Sequence, residues 1–190
     1  MIIEKEKILS TEINFFKKYY SFDDSHHFAR ETGEHYKLLT YITKQFDGIT
    51  ILDIGTYEGA SCLSLAQNLN NNIITYDIEK IELPFLEDYT NVTRKIMDIN
   101  EETDEIINSA QIIFLDAIHD GTMEKKFSDR LEKLNYKGFL ICDDVFSTIH
   151  PKCTEWYSTL EIEKYDLTDV GHSHGTGLIN YFRDGRVKII

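Results

Sequence analysis

Two patterns of apolar positions divide the chain near residue 48. Before it, Leu9, Ile13, Phe16 and Tyr20 recur three to four residues apart, which predicts an amphipathic helix. A polar break over 21–27 separates this stripe from a second one at Leu39, Ile42 and Phe46. That stripe stops at Gly48, a residue suited to the left-handed turn that closes a helix. Beyond Gly48, short β-rich runs alternate with helical or polar stretches, as in a parallel sheet with crossover helices. Strands are predicted at 49–54, 72–77, 92–97, 111–116 and 138–143, and two more near 162–167 and 178–183. Residues 187–190 either add an edge strand or trail off. Cys62, Leu65, Ala66 and Leu69 share one helical face, and Met123, Phe127, Leu131 and Leu134 share another. Past Asp144 the pattern loosens into a loop or short helix around His150-Pro151 and Trp156-Tyr157. The expected class is α/β and doubly wound: one domain over 48–190, with an N-terminal helical extension over 1–47 that serves as a lid or dimer contact.

Composition narrows the partners. A chain of 190 residues suits one α/β domain. With 12% aromatic residues and 2 prolines it can bury enough apolar surface to offset its ordering entropy. Its 33 acidic and 20 basic side chains give a net charge of −13, which repels phosphate. No dense basic run counters this, and Lys125-Lys126 reads as a solvated helix face. Nucleic acid and anionic membrane are therefore not expected partners. No apolar run is long enough to span a bilayer, and Met1–Lys7 turns charged too early for a signal peptide. Cys62, Cys142 and Cys153 are scattered and form no Cys-x-x-Cys, which fits reduced thiols and a cytoplasmic location.

The most informative run is Ile51-Leu52-Asp53-Ile54-Gly55-Thr56-Tyr57-Glu58-Gly59-Ala60-Ser61, an apolar strand followed by two glycines and a helix. Gly55 and Gly59 allow a tight turn and a close approach of the backbone to a ligand at the strand's carboxyl end. The next strand ends at Asp77, where a carboxylate can accept both hydroxyl protons of a ribose. Tyr57 occupies the second glycine position of a dinucleotide fingerprint and obstructs a pyrophosphate, so an NAD-linked oxidoreductase is disfavoured. No Gly-Lys-Ser/Thr marks a P-loop, and Asp53 suits a cationic ligand better than a phosphate.

Later strands end in further acids: Asp116 on the fourth, Asp143 and Asp144 on the fifth. In an open parallel sheet these ends face one crevice, where three carboxylates repel unless a cation neutralises them. All-oxygen ligands favour a hard ion such as Mg²⁺, Ca²⁺ or Mn²⁺. Two dispositions of Asp144 stay open. Neighbouring strand residues point to opposite faces, which would send it to solvent or to a helix cap, whereas a loop starting at Asp143 would bring both acids inward. His172-Ser173-His174 has the spacing of a transition-metal pair, but no cysteine or further histidine cluster in the sequence supports it, and it reads as a flexible loop at the substrate mouth. His150, Trp156 and Tyr157 form a substrate wall or simply pack, while His26, His27 and His35 belong to the N-terminal extension.

Asp53-Ile54-Gly55-Thr56-Tyr57-Glu58-Gly59 resembles the first motif of the class I S-adenosylmethionine (SAM) dependent methyltransferases, a resemblance that extends over about 48–183. It implies a mostly parallel seven-stranded sheet with an antiparallel last strand. It places Asp53 and Gly55 along the methionine end of SAM, with Thr56, Tyr57, Gly59, Ser61 and Asp116 also among the cofactor-binding residues. Asp77 and Ile78 would meet the ribose, and Asp98 the adenine. The spacing of Asp116 and His119, with the pair Asp143-Asp144, resembles the metal-dependent O-methyltransferases, especially the macrocin O-methyltransferase-like group that modifies sugars. Ala117 and Ile118-His119-Asp120-Gly121 depart from that group's usual run. The resemblance implies Mg²⁺ or another hard divalent cation on Asp116, Asp143 and Asp144, with His119 as a neutral base of pKa near the working pH. The implied reaction is SAM-dependent, metal-dependent methylation of a hydroxyl on a small polyhydroxylated acceptor, a sugar or glycoconjugate. A metal-independent methyltransferase using His119, and a non-catalytic SAM-binding protein, are the alternatives. The expected protein partner is a second copy of the chain, through the N-terminal helices.

Overall fold

The computed structural model describes residues 1–20 and 35–190. His26 and His27 lie outside them. Seven strands form the main sheet in the order β4 (Val92–Ile96), β3 (Asn72–Asp77), β2 (Thr50–Ile54), β5 (Ala110–Leu115), β6 (Phe139–Cys142), β8 (Gly177–Asn180) and β7 (Lys164–Asp166). The first five are mutually parallel, and β8 runs antiparallel to both its neighbours. This is the sheet the resemblance implied. The chain's ends form a separate two-stranded pair, β1 (Ile2–Ile3) parallel to β9 (Lys188–Ile189), so the last residues extend this pair and not the main sheet.

The continuous apolar runs of the central strands feed both faces of the sheet. On one face Ile51, Ile112, Phe114, Phe139 and Ile141 pack with α1 (Lys5–Leu9), α2 (Tyr36–Thr43) and α3 (Ala60–Leu65) through Ile8, Leu38, Leu39, Ile42 and Leu63. On the other, Leu52, Ile54, Ile113, Leu115 and Leu140 pack with α4 (Asp104–Ser109), α5 (Thr122–Lys133) and α6 (Pro151–Thr159) through Ile107, Phe127, Leu131 and Trp156. Strand residues thus alternate between two covered layers, each fully buried side chain contributing about 1.5–3 kcal/mol. Among the described residues no helix is long and apolar enough to cross a membrane.

Element ends differ from the sequence expectation for local reasons. The Leu9–Tyr20 stripe is not one helix. Helix α1 stops at Leu9, where the hydroxyls of Ser10 and Thr11 both donate to the Lys7 carbonyl and compete with further helical bonds. A 3-10 turn at Asn14–Lys18 then carries Phe16 into the core, leaving Leu9 exposed. Helix α2 ends at Thr43, short of Gly48, and Phe46 reaches the core from the following turn against Phe139. Helix α3 ends at Leu65, which takes Leu69 off its face and into solvent.

Candidate active site

The five parallel strands end on one side of the sheet, and the chain's winding reverses between β2 and β5, the place where open α/β sheets bind ligands. A cavity of about 930 Å³ opens there. Its wall runs from Gly55–Glu58 and Asp77–Glu79, past Met97–Asn100, to Asp116–Asp120 and Asp143–Asp144.

At the first end Gly55 has φ +93°, and the Asp116 carbonyl oxygen fills the space of a side chain, 1.7 Å from where a Cβ would stand. Gly59, φ +86°, is pressed in the same way by Leu83 and Phe85 at 2.7 Å. Both glycines therefore give the tight turn, but the close approach they allow is to the protein itself. Asp77 organises this rim: Oδ2 accepts from the Tyr57 amide at 2.7 Å and Oδ1 from the Glu79 amide at 2.9 Å. Thr56, Tyr57, Ser61, Asp77, Ile78 and Asp98 all line the cavity. Asp98 caps the next turn, its Oδ1 accepting from the Asn100 amide at 2.8 Å.

Asp53 and Gly59 are not on the cavity wall. Asp53 is fully buried beneath it, and its Oδ2 accepts from the Thr75 hydroxyl at 2.6 Å. Burial raises its pKa to about 7, against the lowering effect of hydrogen bonds from Thr75 and Ser61. A carboxyl raised in the fold stabilises the chain below its unfolded pKa of 3.8 and loses that contribution as pH rises through about 7. Asp53→Asn should therefore gain on the parent by about 1–3 kcal/mol between pH 5 and 8 in urea melts. A gap that stays constant across that range would contradict this.

At the other end β5 stops at Leu115 and β6 at Cys142, so Asp116, Asp143 and Asp144 all belong to loops. Asp144 adopts a left-handed backbone, φ +58°, which removes the strand-alternation objection and turns it into the site. Tyr57 and His119 are left-handed as well, so three of the five non-glycine residues with positive φ among the described residues stand on this cavity's rim.

Histidines stand between the acids. His119 Nε2 is 3.0 Å from Asp116 Oδ1 and 3.9 Å from Asp144 Oδ2. Buried His35 bridges Asp116 at 3.7 Å and Asp143 at 3.5 Å. His172 Nδ1 lies 3.1 Å from Asp143 and 3.3 Å from Asp144, while His150 Nε2 is 3.4 Å from Asp144. The buried Glu124, whose Oε1 is 3.9 Å from His119 Nδ1, is missed by reasoning from the sequence alone, which also names His35 and His172 without placing them among these acids. The His172 loop, expected at the substrate mouth, lines the cavity and reaches the acid cluster.

The site's residues suit a cation. Asp144 is 6% exposed, and its Oδ1 has no hydrogen-bond partner among the described residues. The groups whose donor atoms lie within ligand reach of one another are mixed: His35, Asp116 and Asp143 form one, and His119, Asp143 and Asp144 another. Burial opposes charge on Asp143, yet the charges and hydrogen bonds of His35 and His172 hold its carboxyl below the ordinary range. Burial likewise opposes charge on His119, but hydrogen bonds to Asp116 and Cys153 and the charges of Asp116 and Asp144 raise its pKa to about 10. With no other positive charge among them, these acids favour the protonated imidazole. A cation on the same acids would oppose that proton.

No family model and no curated protein matches the chain. Solved structures do. A Staphylococcus aureus protein provisionally named a caffeoyl-CoA O-methyltransferase superimposes with TM-score 0.61 at 19% identity, covering 89% of this chain and 92% of that one. An O-methyltransferase from Bacillus cereus, in complex with S-adenosylhomocysteine, gives 0.55 at 20% identity over 92% and 88%. A Podospora anserina methyltransferase, also bound to S-adenosylhomocysteine, gives 0.55 at 14% identity over 87% and 84%. The fold is the SAM-dependent methyltransferase fold. Within it, the cavity's two ends offer separate chemistry: a carboxylate-lined rim at Asp77 and Asp98, and a set of acids and imidazoles in which Asp143 and Asp144 are buried and Asp116 is partly exposed.

Proposed function

We propose that this protein is a SAM-dependent O-methyltransferase that works with a divalent cation on a small hydroxylated acceptor. The observation that carries the reading is one cavity joining Asp77 to the acids and His119. When bound, SAM supplies a methyl group on a sulfonium, and a divalent cation, Mg²⁺ or another, acidifies a hydroxyl that chelates it. The chain's own residues do the rest. Each Asp77 oxygen gives one lone pair to a backbone amide and keeps another for a ribose hydroxyl. Met97 and Ile99 flank Asp98 on the wall, an apolar setting for a flat base with a polar edge at Asp98. Asp116, Asp143 and Asp144 would hold the cation. His119, in contact with Asp116, would take the proton of the acceptor hydroxyl. Holding donor and acceptor in one cavity lowers the barrier through positioning.

The sugar or glycoconjugate acceptor rests on the resemblance of the Asp116–His119 and Asp143-Asp144 spacing. The name of the S. aureus neighbour adds a hydroxylated aromatic acceptor to the assay panel. Methyl transfer from SAM should be measured on sugars and catechols with and without EDTA. EDTA should lower turnover by about 100-fold or more, and added Mg²⁺ or Mn²⁺ should restore it. Undiminished turnover in EDTA would point to the metal-independent enzyme, and SAM binding without turnover on any acceptor to a binding protein. Asp77→Asn should weaken SAM roughly tenfold or more by calorimetry, the worth of a hydrogen bond to a charged group. An unchanged affinity would remove Asp77 from the ribose.

A further inference from the structure

The His-x-His motif is unused by this mechanism, and the fold gives it what the sequence lacked. Strand β8 runs antiparallel to β6 with Cys142 opposite Gly177, so the loop before β8 arrives beside Asp143 and Asp144. Two backbone bonds seat it there: the Val145 amide donates to the Gly175 carbonyl at 3.1 Å, and the Phe146 amide to the His174 carbonyl at 2.9 Å. Asp144 Oδ1 then has His172 Nδ1 at 3.3 Å and His174 Nδ1 at 3.6 Å. One donor atom from each of Asp144, His172 and His174 falls within 4.8 Å of the others. That carboxylate oxygen is buried and has no hydrogen-bond partner among the described residues.

We propose that His172 and His174 are imidazole ligands, with Asp144, to a first-row transition cation, so that the ion of this site is chosen for nitrogen donors and not for the all-oxygen shell of Mg²⁺. Magnesium dehydrates reluctantly and is held by carboxylates and water, whereas two imidazoles beside one carboxylate suit Fe²⁺, Co²⁺, Ni²⁺ or Zn²⁺. Affinity should accordingly climb from Mn²⁺ to Ni²⁺, the order such nitrogen and oxygen sites follow. The inference rests on the reading of this cavity as a divalent-ion site.

The test is calorimetry of the full chain, carrying no histidine tag, with Co²⁺, Ni²⁺ and Mg²⁺, together with the visible absorption of bound Co²⁺. The parent should bind Co²⁺ at least about tenfold more tightly than Mg²⁺. His172→Ala with His174→Ala should weaken Co²⁺ by about tenfold or more, shift its absorption, and leave Mg²⁺ within about threefold. His174→Gln alone, at a half-exposed ring, should shift the spectrum in a chain that folds normally. Co²⁺ affinity and spectrum unmoved by these substitutions would overturn the inference, even where methyl transfer persists and the proposed function stands. Imidazole-dependent Co²⁺ binding in a chain that never transfers methyl would uphold it and sink the methyltransferase reading instead.

Discussion

Gly55→Ala should fail to accumulate as folded protein, or unfold at least about 4 kcal/mol more readily than the parent. Two independent costs meet at this residue. Its backbone sits at φ +93°, which a side chain resists by about 1–2 kcal/mol. The added carbon would also stand 1.7 Å from the Asp116 oxygen and 2.6 Å from its carbonyl carbon. Neither atom can step aside, because the Asp116 amide donates to the Ile54 carbonyl at 2.9 Å and the Gly55 amide to the Tyr76 carbonyl at 2.9 Å. Gly48 offers the control: φ is +70°, but nothing lies within 4 Å of a Cβ there, so Gly48→Ala should cost only the backbone term. Urea melts of the three proteins decide it. A Gly55→Ala chain within about 1 kcal/mol of the parent would mean that β2 and β5 do not approach as described.

Asp143→Asn should remove most of the activity while sparing SAM. Asp143 is 5% exposed, close to His35 and His172, and belongs to two of the mixed ligand groups at the sheet's end. Its amide replacement keeps the volume and loses the charge that would neutralise a cation. Ion affinity should fall by about 10–100-fold or more, and turnover by about 10²–10⁴-fold, since the ion and the proton acceptor depend on the same cluster. SAM affinity should stay within about threefold, because Asp77 and Asp98 meet the other end of the cavity. Calorimetry for each ligand beside a turnover assay separates the outcomes. Parallel losses of ion and SAM binding would indicate a damaged fold, and turnover near the parental value would take Asp143 out of the chemistry.

The inner strands of the sheet were legible because they are short, apolar and buried on both faces, so each stands out against polar connections. The acids were legible for the same reason: Asp77, Asp116 and Asp143 each directly end an apolar run. His119 was legible too, three residues past Asp116, but the other histidines were not, since their approach depends on pairing that periodicity does not carry. His172 and His174 reach Asp144 only because β8 runs antiparallel against β6. His35 reaches Asp116 and Asp143 because the start of α2 lies over the end of β5, its ring centroid 4.7 Å from that of Phe114. The glycine motif was found, while its reason changed: Gly55 makes room for Asp116, so the two loops that build the cavity depend on one another. The N-terminal stripe misled because Ser10 and Thr11 end the helix with their own hydroxyls, a local chemistry that apolar spacing ignores.

A crystal structure of the chain with SAM and a transition ion, read in anomalous density, tests the central claim most directly. The account predicts the ribose hydroxyls on Asp77, the sulfonium pointing toward His119, and one ion among Asp116, Asp143 and Asp144. A nucleotide seated away from Asp77, or an ion bound outside that cluster, would contradict it.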